Sequence, residues 1–457
     1  MCILAVLLRK FVNSCTMNKT SILLSFLLLA VLPVFAQESE IHTLEQNGKF
    51  YKAVEFEVKP NTFYTSIDPQ FKASSLTFET RLSNTLHRAY VLLGGTQRFN
   101  LKKDDHNTDA LQENAARNSN QSSELYLSDD EFSFFSFFSG DISGTVRVNL
   151  MYAPPLKIDK NTSSKKKDLT DCSVKPESID QSIWRQGLPD PKGTPQETQV
   201  KHVILHHAAG SNTETDYTKV VRNYYLLHTE SNGWDDIGYN FLVAQDGTIY
   251  DGRDGRGVCE DDNVLGAHMC ARNVTTMGIC LLGNYDVANV FPTDTSLLSV
   301  EKLVTWKLHK ESLNAFDSSL HPTAGMLGTI AGHRDGCNAG YTECPGENYY
   351  QEIYARVKPD VDSMLRNCMP LGMNQEVSAI QVTIYPNPAS NYFDLELGNT
   401  ADRLEIFDVS GKVVLQKALT TEPIQRISTS GLNAGIYWVK VYDKQSFKTI
   451  RLFIAEK

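Results

Sequence analysis

The spacing of apolar residues changes character twice along the chain and divides it into three stretches. From Gln37 to about Ile158 the pattern is mostly that of strands. Thr145 to Tyr152 alternates polar and apolar residues with the period of a half-buried strand, and Phe132 to Phe138 is a run of phenylalanines broken only by serines. Such a run fits a ligand-facing platform or a core strand, and core packing is the expectation because aromatic side chains suit the pleated, buried face of a sheet. Asp104 to Ser123 is poor in apolar residues and reads as a long loop.

In the middle stretch, strands and helices alternate. Val200 to Leu205 is a strand. Tyr217, Val220, Val221, Tyr224 and Leu227 share one helical face. Tyr239–Ala244 and Thr248–Tyr250 are strands meeting at Asp246-Gly247, a hairpin signal, and Met277 to Leu282 is a buried strand. Leu297, Val300, Val304 and Leu308 line a second helix. Ile353, Val357, Val361 and Leu365 line a third, which Pro359 is expected to kink or divide. From about Ala379 short strands return: Phe393–Leu397, Leu404–Val409, Val413–Leu415, Gly435–Val441 and Thr449–Ile454, with turns at Ser410-Gly411-Lys412 and Leu432–Gly435. The expected architecture is a β-rich domain over 37–158, a linker over 159–175, an α/β domain with a mixed sheet flanked by helices over 176–368, a linker over 369–378 and a small β-sandwich over 379–457.

At 457 residues the chain is long enough for several cores, which agrees with this division. A net charge of −10 and the lack of a Lys/Arg stripe argue against nucleic acid, and Lys165-Lys166-Lys167 reads as solvated linker. Asn18-Lys19, the apolar run Ile22–Leu32 and Val34-Phe35-Ala36 have the form of a secretory signal ending before Gln37. Translation is expected to start at Met17; a longer signal with two apolar regions is the alternative. No integral membrane segment is expected once the signal is removed. Export permits disulfides. Of nine cysteines, Cys2 and Cys15 leave with the leader, and Cys259 with Cys270 is the preferred pair among Cys172, Cys259, Cys270, Cys280, Cys337 and Cys368. Cys280, in Met277–Leu282, reads as a small core residue.

The chemistry gathers in three short stretches: Val203–Ala208 with His206-His207, Gly332-His333-Arg334-Asp335, and Thr342-Glu343-Cys344-Pro345-Gly346. Two imidazoles and a thiolate suit Zn²⁺, and three protein ligands leave a fourth tetrahedral position open for catalysis. Side chains alternate along a strand, so His206 and His207 cannot both reach one ion without a bend, and alternation does not say which one does. Pro345 suits the first position of a helix, which would place Cys344 at a helix N-terminus and favour its thiolate. Cys337 lies four residues after His333 and competes in principle for the ion; a loop disulfide is the expectation for it.

Together with Trp234-Asp235-Asp236-Ile237-Gly238-Tyr239-Asn240-Phe241 and Asp246–Tyr250, these stretches resemble the type 2 N-acetylmuramoyl-L-alanine amidases, a family that includes the peptidoglycan recognition proteins. The resemblance runs from about Ile179 to Cys368. It implies one zinc per chain held by His206, His333 and Cys344, with Tyr239 as the catalytic tyrosine, Thr342 beside the scissile group and His268 lining the substrate groove. The spacing from His333 to Cys344 is longer than the family's usual one. Tyr385-Pro386-Asn387-Pro388, Ile406–Lys412 and Gly435–Val439 look like the C-terminal sorting domain of type IX secretion cargo, against a generic carbohydrate-binding sandwich. The implied function is a secreted or surface zinc amidase that cuts the lactyl–L-Ala bond of peptidoglycan and reaches the surface through the periplasm by the type IX machinery. Its tail would fold on its own. The alternatives are a non-catalytic peptidoglycan-binding protein and a surface adhesin.

Overall fold

The computed structural model describes residues 36–37, 40–81, 85–104, 120–158, 172–368, 382–398, 401–408, 411–443 and 447–455. The signal segment before Ala36, most of the Asp104–Ser123 stretch, and nearly all of both linkers lie outside these residues.

Two β-sheets form the N-terminal part. One orders its strands as Ala36–Gln37, Phe63–Ile67, Phe135–Phe138, Tyr90–Leu93 and Gln97–Asn100. The other runs His42–Asn47, Tyr51–Val58, Gly144–Met151 and Ala73–Arg81, with Asn120–Ser122 and Tyr126–Phe132 both pairing with the last. Phe132, Phe135 and Phe137 are buried against Phe56, Tyr64 and Phe78, so the phenylalanine run is core; Phe134 faces outward. The expected loop at 104–123 ends instead in a strand, because residues 120–122 find a partner in Glu79–Arg81.

The central sheet has the order Ile249–Asp251, Phe241–Val243, Thr276–Leu281, His202–His207, Ile330–Gly332; its inner strands are parallel and the Asp246-Gly247 hairpin supplies the antiparallel edge. Gly247 sits at φ +83°, which that tight turn requires. Helix Tyr217–Leu226 covers one face and Asp294–Glu311 the other. The third expected helix is divided, as Pro359 dictates: Glu347–Glu352, a π turn over Ile353–Val357, then Lys358–Arg366 with proline in its first turn, where no amide donor is needed. Pro345 does not open the first of these. Gly346, at φ +82°, delays the helix to Glu347, so Cys344 lies in the preceding loop.

The preferred Cys259–Cys270 pair is not formed. Cys172 bonds Cys368, tying the entry of the central domain to its exit, and Cys270 bonds Cys337; Cys259 is free. Proximity in the fold decided this, and residues 67 and 196 apart in sequence leave no local trace of it.

The tail packs a three-stranded sheet (Val382–Tyr385, Tyr392–Leu397, Ile424–Ser428) on a four-stranded one (Val413–Ala418, Arg403–Phe407, Gly435–Tyr442, Phe447–Ile454) around its own apolar core. It is more than tethered. Arg451 reaches Glu352 of the central domain at 2.8 Å and stacks on Phe291. Burial in this contact pushes the Glu352 carboxyl up to about 7, against the pull of Arg451 and Arg356. A carboxyl that is harder to ionise folded than unfolded stabilises the fold below its unfolded pKa, and that contribution is lost as pH rises through 7. The protein is therefore expected to melt higher at pH 5 than at pH 8, with Glu352 accounting for about 3 kcal/mol at most. Glu352→Gln should flatten part of that slope in a thermal-shift series; an unchanged slope would remove Glu352 as its source. No helix among the described residues is long and apolar enough to cross a membrane.

Candidate metal centre

Parallel pairing builds the site. Leu205 is in register with Gly332 on adjacent strands, so the next residues, His206 and His333, emerge side by side at the carboxyl ends, where ligands gather in α/β sheets. Their ring centroids are 4.5 Å apart. Cys344 comes from the loop after the short helix His333–Gly336, and its Sγ lies 3.7 Å from His206 Nδ1. One ligand atom from each of His206, His333 and Cys344 falls within 4.8 Å of the others, and all three residues are fully buried. Zinc–nitrogen and zinc–sulfur bonds of 2.0–2.1 and 2.3 Å at a tetrahedral angle imply an N···S edge of about 3.6 Å, so the donor set fits that ion. His207 points the other way, where its Nδ1 accepts from the amide of Tyr285 at 3.2 Å. Strand alternation thus separates the two histidines that the sequence left equivalent.

His333 also lies near Cys270 and Cys337, a second group of three potential ligands. Their disulfide occupies both thiols, so Cys337 does not compete with Cys344 while it is oxidised.

Behind the site runs a hydrogen-bonded chain. His206 Nε2 lies 3.0 Å from His268 Nδ1, His268 Nε2 lies 3.2 Å from Thr276 Oγ1, and Thr276 Oγ1 donates to the carbonyl of Asn273 at 2.8 Å. Burial, helped by Arg253, pulls the His268 pKa down to about 3, so its imidazole is neutral in any ordinary buffer. The direction of the chain follows: Thr276 donates onward, His268 donates from Nε2 and accepts at Nδ1, and His206 carries its proton on Nε2, leaving Nδ1 bare towards Cys344. Two glycines make room for this ring. A Cβ on Gly278 would come within 2.7 Å of the His268 ring, and one on Gly266 within 2.5 Å. His268 was expected to contact substrate. It borders the cavity beside Tyr239, and its two ring nitrogens face His206 and Thr276. Thr276 and Asn273 carry no motif and escape sequence reading altogether.

Tyr239 sits across from His206, with ring centroids 5.3 Å apart. Burial holds its phenol well above the ordinary value, so it stays protonated and able to donate. Thr342 Oγ1 accepts the amide of Cys344 at 3.0 Å, which shapes the ligand loop and leaves the hydroxyl proton available. His228 accepts the Gly238 amide at 3.1 Å and stacks near Trp234, a packing role, and His202 and His321 likewise hydrogen-bond backbone carbonyls.

Residues 196–347 match the family of N-acetylmuramoyl-L-alanine amidases, and residues 383–456 match the secretion system C-terminal sorting domain. The chain is 31% identical over 156 residues to peptidoglycan-recognition protein SC2 of Drosophila simulans, covering 34% of this chain and 72% of that protein. It is also 31% identical to peptidoglycan recognition protein 1 of Bos taurus, over 34% of this chain and 70% of the other. Among solved structures, wild-type Drosophila PGRP-LB is 28% identical, with a TM-score of 0.31, 39% of this chain and 94% of that chain being covered.

Proposed function

The chain belongs to the amidase family that includes the peptidoglycan-recognition proteins, and we propose that it is a secreted zinc-dependent hydrolase of the lactyl–L-Ala amide of peptidoglycan. The observation that carries the catalytic reading is the convergence of His206, His333 and Cys344, which supplies three donors and leaves a fourth position for substrate or water. Zinc, when bound there, supplies Lewis-acid polarisation of the scissile carbonyl and acidifies the attacking water. The chain's own groups do the rest. Tyr239 donates a hydrogen bond to the oxygen that becomes negative, and its high pKa keeps that proton in place. Thr342 orients the water or the oxyanion; a threonine hydroxyl is no proton base at neutral pH. His268 and Thr276 fix the tautomer of His206. The tail, as a sorting domain, takes the protein to the surface or medium by the type IX machinery.

A non-catalytic recognition protein on the same fold is the second reading, and retention of the cysteine favours hydrolysis over it. The deciding experiment incubates the purified protein with defined muropeptides before and after chelation. Release of free stem peptide that stops on chelation and returns with Zn²⁺ supports the enzyme; muropeptide binding without cleavage supports the recognition protein. His268→Ala is expected to weaken metal affinity by ~10–100-fold, the usual cost of an outer partner of a ligating histidine. Competition with a chromogenic chelator measures it, and unchanged affinity would return His268 to the groove.

A further inference from the structure

The Cys270–Cys337 disulfide lies against the metal centre, and His333 belongs to both groups of donors. One ligand atom from each of Cys270, His333 and Cys337 falls within 4.8 Å of the others, the limit that also holds for His206, His333 and Cys344. Cys337 follows directly on the short helix His333–Gly336, so one turn carries the histidine and one of the sulfurs. Two thiols and an imidazole are a zinc-binding donor set in their own right.

Contacts other than the S–S bond also hold these residues together. Arg272 donates to the carbonyl of Gly336 at 2.8 Å and to Asn338 Oδ1 at 2.9 Å, which clamps the Cys337 loop to the Cys270 turn. Met269 fits against Gly336, where a Cβ would come within 2.5 Å of its sulfur. Met269 and Cys270 share a small apolar core with Ile204, Leu327 and Ala331, and Cys337 and Tyr341 pack against it. With the S–S bond cut, these contacts keep both thiols beside His333. The two Cα atoms are 6.0 Å apart, and rotation about the Cα–Cβ bonds opens the sulfurs to the ~3.8 Å S···S edge of a tetrahedral zinc site. Cys337 is half-buried, so a small reductant reaches the bond from solvent.

We propose that the reduced chain has a second zinc site, Cys270–His333–Cys337, which takes His333 from the first and moves the ion off His206, the ligand that faces Tyr239. A neutral imidazole has one acceptor nitrogen to give, so His333 serves one ion at a time. The second set carries two thiolates against one, and the softer, more anionic set holds zinc more firmly. A dithiol opens the bond by exchange. It becomes a disulfide, two electrons and two protons pass to Cys270 and Cys337, and zinc binding then releases those protons to the buffer. Oxidation by a disulfide reverses each step and returns His333 to the company of His206 and Cys344. Resting on the hydrolase reading above, this confines hydrolysis to the oxidised protein.

The test measures bound metal in the full chain, oxidised and after reduction by a water-soluble phosphine, which takes up the oxygen of water to become its oxide. Cys344→Ser should hold almost no zinc when oxidised and regain about one ion per chain when reduced. Adding Cys337→Ser should abolish that gain, although the thiols of Cys172 and Cys368 are still freed. In native protein loaded with Co²⁺, the thiolate-to-metal charge-transfer band should about double on reduction, as one sulfur ligand becomes two. Reduced Cys344→Ser without zinc overturns the second site, as does a gain that survives Cys337→Ser. Should Cys344→Ser not fold, the cobalt band decides, and a band unchanged by reduction defeats the proposal. Oxidised native protein that binds no zinc sinks the hydrolase reading by itself, and reduced Cys344→Ser still judges the second site.

Discussion

Cys344→Ser is expected to leave a folded protein that no longer retains zinc and no longer releases stem peptide. A neutral hydroxyl replaces the single anionic ligand of the set, and the two imidazoles that remain offer no compensating charge. The loss should exceed the ~10–100-fold that follows from removing an outer partner such as His268. The fold should survive, because both disulfides and the central apolar cores are untouched by the change. Metal analysis of dialysed protein alongside a melting curve measures both. Full metal content in Cys344→Ser would refute the ligand assignment. Loss of metal from Cys337→Ser alone would move it to the neighbouring cluster of Cys270, His333 and Cys337.

Tyr239→Phe separates chemistry from binding. If the phenol stabilises charge that exists only in the transition state, turnover should fall by roughly 10²–10³-fold while metal content and KM stay nearly constant. Its raised pKa adds a second expectation: no alkaline loss of activity below pH 10 should trace to Tyr239, so the pH profiles of native and variant should keep the same shape over that range. Removing one hydroxyl from a buried ring that also touches His228 and Cys280 should cost little stability. Native turnover in Tyr239→Phe would reduce the residue to core packing.

The legible part of the site was the part written in contiguous residues. His206-His207, Gly332-His333 and Thr342–Pro345 could be read as ligand stretches because residue type and spacing carry donor chemistry. The same local reading stopped short where alternation offered two histidines and no reference face. The parallel register of Leu205 with Gly332 supplied that face. It also stopped short at Pro345, whose helix preference was overruled by a glycine one residue on.

What the sequence determined by itself was the sequence of layers: strands, then alternating strands and helices, then strands again, together with the donor types available for a metal. These follow from periodicity and side-chain chemistry, which act over a few residues. Tertiary structure decided the rest. Cys270 met Cys337 rather than Cys259, His268 turned its ring to His206 between two glycines, and Glu124, in a loop between two N-terminal strands, met Asn284. Each of these depends on which distant surfaces bury one another, and that free energy belongs to the packed whole rather than to any segment of the chain.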